Sequence, residues 1–258
     1  MSIMQILRKI SIWRWLLLIL ILFGMSIQSI YCTNDLMMGN LSYQELIFSH
    51  MGNLTTFLCY VFFLLLAADF GFTRGSVENV QGNTKRLRRS LGLSAAICGV
   101  YIALILVVSL LALLLKSGSL NFSNEWSFEP LLGLEWVSPS LAALITLLLF
   151  FLRFLFMTFL IFVINSKCNK MPYGFIGGLA VCLIDGVVYV SFNILKPLGI
   201  LLVDYSYIES SLRLTPNAAL DIALCVLYWG ALIMAACLVY RLMHKGGKLE
   251  KEEGRARI

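Results

Sequence analysis

Polar and apolar residues do not alternate along this chain; they come in blocks. Six blocks stay apolar for about 20 residues, the length an α-helix needs, at about 1.5 Å per residue, to cross a hydrocarbon layer. They fall near Ile12–Tyr31, Leu54–Phe72, Ser94–Leu115, Leu141–Ile164, Tyr173–Leu195 and Ala219–Tyr240. A transmembrane strand would change polarity at every second residue, and these blocks do not. Backbone groups in lipid must be satisfied within their own segment, so helices are the default. The pattern predicts an all-α integral membrane protein with six transmembrane helices in one domain over residues 1–258.

Composition sharpens this. The 258 residues are 60% hydrophobic and 13% charged, about half the charge of a soluble domain. The net charge of +6 is best read loop by loop and does not imply nucleic acid. Arg8, Lys9 and Arg14 flank the first block. Arg74, Lys85, Arg86, Arg88 and Arg89 lie between the second and third, and Lys167 and Lys170 between the fourth and fifth. Arg241, Lys245, Lys248, Lys251, Arg255 and Arg257 follow the last. All these loops lie on one side of a six-span chain, and the other side has only Lys116, Lys196 and Arg213. That side also carries Asp35, Glu45, Glu125, Glu129, Glu135, Asp204 and Glu209, with Asp221 at the outer end of the last span. The positive-inside rule places both termini in the cytoplasm.

The first block follows a basic leader, but no small-x-small cleavage site ends it, so it reads as a retained helix. Lys196–Asn217, bracketed by Pro197 and Pro216, is apolar enough over Leu198–Val203 for a re-entrant outer helix between the last two spans. The tail, residues 241–258, is polar. Trp126 and Trp136 suit the interfacial belt. Five of the seven cysteines sit inside blocks, and no CxxC pair or disulfide framework is present.

Catalytic chemistry has little to work with. The histidines are His50 and His244, with no HExxH and no Gly-x-Ser-x-Gly. Gly246-Gly247-Lys248 lacks the spacing of a phosphate-binding loop. The reading is therefore a non-enzyme with no metal and no cofactor of its own. Inside the blocks, Arg153 and Asp185 stand near mid-membrane on neighbouring antiparallel spans, where an ionisable residue is costly. They form either a structural ion pair that fixes register or part of a substrate path. Gly174, Gly177, Gly178 and Gly186 on the fifth span permit close helix approach.

The stretch FTRGSVENVQGNTKRLRRSLGLS, Phe72–Ser94, is basic and broken by glycine. Gly75 can open a turn, Ser76 can cap a short helix carrying Val77 and Val80, and Gly82 ends it. Thr84 then caps a second helix bearing Lys85, Arg86, Arg88 and Arg89 towards the third span. From the residues alone this is either a helix that docks a cytoplasmic partner or a basic loop lying on anionic lipid.

The stretch resembles the second–third loop of ABC-2-type permeases, the membrane subunits of ATP-driven exporters. Gly75-Ser76 takes the place of the family's Gly-Thr. Val77, Glu78, Asn79, Val80 and Gln81 take the short helix, Gly82-Asn83 the break, and Thr84-Lys85-Arg86 the polar-basic step. Two departures are the Ser for Thr and an upstream acid, Asp69, placed early. Span count, cytoplasmic termini and the re-entrant segment also match the family plan.

The resemblance implies that Gly75, Ser76, Val77, Glu78, Asn79, Val80 and Gln81 form a coupling helix seated on a separate cytoplasmic ATP-binding subunit, which holds the ATP and magnesium. It also implies a second permease subunit, identical or not. Residues 1–11 would form an interfacial helix, with Ile3, Ile6, Leu7 and Ile10 on one face and Arg8 and Lys9 opposite. The greasy spans suit hydrophobic or amphipathic cargo such as antimicrobial peptides, exported across a bacterial cell membrane. Two alternatives are the substrate-capture subunit of an energy-coupling vitamin importer and a membrane-embedded enzyme without a recognised motif.

Overall fold

The computed structural model describes residues 11–36, 42–50, 83–118, 120–126, 137–167, 176–177, 179–180 and 218–255. The block Leu54–Phe72, most of Tyr173–Leu195, the re-entrant segment and the leader helix over residues 1–10 lie outside them. Among the described residues there is no strand.

The long elements are α1 (Ile12–Leu36), α3 (Asn83–Ser117), α4 (Pro139–Lys167) and α5 (Ala218–Arg255). The short α2 (Tyr43–Glu45) continues as a π-helical turn, Leu46–His50. Three stretches are long and apolar enough to cross a membrane: Thr84–Lys116, Pro139–Ile164 and Ala219–Met243. In α1 the apolar stretch is shorter, Ile12–Gln28. The chain is thus a helical, membrane-embedded protein.

The ends of these helices have local causes. Pro139 opens α4 at a position where a missing N–H costs nothing, and Ser138 precedes it, its Oγ accepting from Leu141 N at 3.4 Å. Gly118 follows α3 with φ +69°, the left-handed conformation that glycine adopts freely after a helix. Its N–H donates to the Leu114 carbonyl at 2.9 Å. The basic turn Lys85–Arg89 and the third span form one continuous helix from Asn83. Thr84 therefore lies in the first turn rather than at the cap, because no breaker separates Asn83 from the span.

Side-chain contacts give the directions. Tyr101 meets Phe154 edge-on at 4.9 Å, and Cys98 Sγ lies 3.5 Å from Thr158 Oγ1. Higher numbers on α3 meet lower numbers on α4, so the two are antiparallel. Ile30 shares a buried cluster with Ala112 and Leu113, which sets α1 parallel to α3. Phe156 packs on Trp229 and Phe159 on Tyr240, so α5 runs with α4. One end of the bundle carries Arg14, Lys85–Arg89 and Arg241; the other carries Glu45, Glu125 and Asp221, with Lys116 as its described cation.

Four hydroxyls inside the spans bond their own helix. Ser90, Ser94, Ser109 and Thr146 donate to the carbonyls of Arg86, Ser90, Ile105 and Ala142 at 2.6–2.9 Å. Where no water reaches, a hydroxyl has few other partners. The outward face of α5 is Leu220, Leu224, Leu227, Met234, Leu238 and Leu242, all exposed. Such a stripe suits hydrocarbon, not water. Gly177, from the fifth block, backs onto Ile164, whose methyl carbons would stand 3.3 Å from an added Cβ. For that glycine, close packing is its use.

Phe154 is fully buried at the α3–α4 seam, whereas Leu148 is 44% exposed on the same helix. Phe154→Ala should lower stability by about 3–5 kcal/mol. Leu148→Ala should change it by about 0.5 kcal/mol. Melting of the purified protein in one detergent checks the contrast.

Candidate functional site

The coupling residues Gly75–Gln81 and the acid Asp185 lie outside the described residues. Their flanks are described. At the basic end, α3 turns Leu87 and Ser90 inward, leaves Lys85 and Arg88 exposed, and half-buries Arg86 and Arg89. Tyr240 of α5 lies beside Ser90 and Arg86, so the start of α3 and the inner part of α5 meet here. Arg241, next along α5, is exposed.

This arrangement opposes the local preference of the helix. The positive end of the macrodipole is at the N-terminus, where a cation loses about what an anion gains, roughly 0.3–1 kcal/mol. The first turn of α3 contains no acid. Four cations in its first two turns therefore need a reason outside the helix: a membrane side, an anionic lipid surface or a docking partner.

Arg153 is fully buried on α4, flanked by Phe150 and Phe154, whose rings stack at 6.1 Å. The sequence placed it near the middle of the fourth span; the structure shows that its side chain is buried. Its pairing with Asp185 rests on a residue outside the described set.

The acidic end is closed by a small cap. Ser42 and Glu45 form a capping box: Ser42 Oγ accepts from Glu45 N at 3.2 Å, and Glu45 Oε2 accepts from Ser42 N at 2.9 Å and Ser42 Oγ at 2.8 Å. That satisfies Glu45, which is wholly buried. Tyr43 N donates to Asn121 O at 2.9 Å, and its hydroxyl donates to Leu106 O at 2.7 Å. Phe48 meets Trp126 edge-on at 5.2 Å, and Trp126 Nε1 donates to Val137 O at 2.8 Å. Trp126 thus holds the cap to the start of α4, more than an interfacial anchor requires.

Asp221 is the residue the sequence reading undervalued. It counted as one outer acid among several, yet it is 0% exposed. It heads the inward stripe of α5, which continues through Cys225, Trp229, Ala236 and Tyr240. Neither of its carboxylate oxygens has a hydrogen-bond partner among the described residues. The first turn of a helix repays an acid by about 0.3–1 kcal/mol, while taking an ion out of water costs several. The dipole alone does not balance its burial. The period of 3.6 residues running from Asp221 through Cys225 to Trp229 was the available signal, because it puts the acid in line with the large aromatics. Among the described residues no three His, Cys, Asp or Glu side chains gather as a metal site.

Burial pushes the Tyr43 phenol up to about 12, above its ordinary value of about 10. The folded state thus favours the neutral phenol. This stability is whole below pH 10 and is lost as pH rises from about 10 to about 12. Tyr43→Phe should flatten that part of the stability–pH curve relative to the parent chain, and alkaline melting curves of the two proteins check it. No family model, curated protein or solved structure matches the chain.

Proposed function

We propose that the chain is the membrane subunit of an ABC-2-type ATP-driven exporter. In this reading it crosses the cell membrane six times with both termini in the cytoplasm. ATP hydrolysis belongs to a separate cytoplasmic subunit, and a second permease subunit completes the translocator. The cargo is hydrophobic or amphipathic, with peptides the best fit to walls this apolar.

The observation that carries the reading is the direction of the helices. With α1 and α3 parallel, and α4 and α5 together running the other way, they take the places of spans one, three, four and six. In this reading the two remaining apolar blocks of the sequence, Leu54–Phe72 and Tyr173–Leu195, are counted as spans two and five. Lys85–Arg89 and Arg241 share one end of the bundle, and the positive-inside rule would make that end the cytoplasmic one. The cations opening α3 against its dipole are compatible with a docking role for the stretch just before them. Residues Gly75–Gln81 would present Val77 and Val80 to a groove of the ATPase, and the continuous helix α3 would carry the push into the third span.

Two measurements test this. Val77→Glu or Val80→Glu should reduce capture of the co-expressed ATPase about tenfold, the equivalent of about 1.4 kcal/mol, with membrane insertion unchanged. Undiminished capture would count against the coupling role. In proteoliposomes holding both subunits, amphipathic peptides should accelerate ATP hydrolysis. Acceleration by a sugar or a lipid, with none by any peptide, would refute the cargo class.

A further inference from the structure

On its outward side α3 passes from cations to bare backbone to hydrocarbon over about five turns. Lys85 and Arg88 are exposed, and so are Gly92, Gly99 and Ala103. Steps of three, four, seven and four residues keep all of them on one side of a helix. Nothing lies within 4 Å of a Cβ added at Gly92 or Gly99, so the stripe is open above both glycines. Val100 and Val107, also exposed, border it. From Arg88 to Gly99 is about 16 Å along the axis, close to the hydrocarbon depth of one leaflet, about 15 Å.

The cations at the head of this stripe have no acid close to them among the described helices. α3 and α4 contain none. On α1 the acid is Asp35, near the opposite end. On α5 the acids of the basic end, Glu250, Glu252 and Glu253, come more than two turns beyond Arg241. Leu87 and Ser90 are buried, with Ser90 beside Tyr240 of α5, and this packing fixes the direction in which Lys85 and Arg88 point. A cytoplasmic protein would meet the cations but could not follow an apolar stripe to the depth of a leaflet. An acidic phospholipid covers both, because its charged head and its hydrocarbon are joined at that spacing. Cations at the edge of a span attract such lipids.

We propose that the outward face of α3 from Lys85 to Ala103 seats an acidic phospholipid of the adjoining leaflet. Lys85 and Arg88 hold its phosphate, and one acyl chain lies along Gly92 and Gly99. The seat goes beyond the exporter reading and does not depend on it. It belongs to this chain alone, and its cations follow the residues Gly75–Gln81 assigned to the motor. Its signature is position: two particular cations matter, and the total charge of the basic end does not.

The test uses the full chain in a neutral detergent, without any ATPase. It is offered equal amounts of phosphatidylglycerol and phosphatidylcholine with the same acyl chains, and the retained lipid is counted by native mass spectrometry. The parent should retain phosphatidylglycerol about tenfold over phosphatidylcholine. Lys85→Gln with Arg88→Gln should bring the two lipids to within about twofold of each other, at the parent's melting temperature, since both side chains are exposed. Lys245→Gln with Lys248→Gln removes the same charge from the α5 tail and should leave the preference as it was. Gly99→Leu fills the open stripe and should lower retained phosphatidylglycerol about threefold or more, again without loss of melting temperature. The proposal is overturned if the parent shows no preference, if the Lys85 and Arg88 variant keeps it, or if the tail variant loses it too. It is equally overturned if Gly99→Leu retains as much lipid as the parent, or if inorganic phosphate displaces the lipid, which would leave an anion site alone. A lower melting temperature in the Lys85 and Arg88 variant or in Gly99→Leu would show a packed face and overturn it as well. Because no motor subunit is in the assay, a failure of the exporter reading leaves these outcomes unchanged.

Discussion

Phe154 lies edge-on to Tyr101 one turn from the contact between Cys98 and Thr158, and this seam sets the direction of the other described helices. An aromatic pair of this geometry adds about 0.5–1.5 kcal/mol beyond its buried area. Its larger effect is on register. Once α3 and α4 are antiparallel at this height, the start of α4 must sit by the end of α3, where Trp126 bonds the Val137 carbonyl. The segment Ser42–His50 is then captured between Asn121, Leu106 and Trp126. α1 follows it as a parallel neighbour of α3, and α5 closes on α4 through Trp229 and Tyr240. α4 is the centre of the arrangement: 56% of its spanning stretch is buried, against 17% for α5.

The separation of charge follows from the same seam. Parallel α1 and α3 bring Arg14 and Lys85–Arg89 to one end, and antiparallel α5 returns Arg241 to it. Two independent lines, side-chain packing and loop charge, thus assign the same ends to the same helices. Packing knows nothing of a membrane, and the positive-inside rule knows nothing of Tyr101 and Phe154.

Much of this was legible in the chain. The apolar blocks of α3, α4 and α5 announce helices, since nothing else satisfies so long an apolar backbone in lipid. Their edges fall within a few residues of Ser94–Leu115, Leu141–Ile164 and Ala219–Tyr240, except that α3 reaches back to Asn83 and α5 runs on to Arg255. The basic residues before Ser94 looked like a separate element because polarity changes there, but a helix ends at breakers and caps, not at polarity. The cap over the acidic end was legible in part: Ser42-Tyr43-Gln44-Glu45 is a capping-box spacing, though its partners Asn121 and Leu106 are set by tertiary contact and leave no local trace. The burial of Asp221 was hidden for a related reason. An acid three residues into a span reads as an interfacial residue, and only the faces of α5 reveal that it points with Trp229 rather than with Leu220 and Leu224.

Arg153, Asp221 and the cations of α3 show how local stability yields to position in this protein. A helix chosen for its own sake would carry acids in its first turn, and α3 carries bases. A core chosen for packing alone would hold an apolar residue in place of Arg153 or Asp221, because replacing buried charge by hydrocarbon of similar volume is commonly neutral or stabilising. The first departure gathers positive charge at one end of the bundle. The other two place ionisable side chains where they are wholly buried, which packing alone would not select.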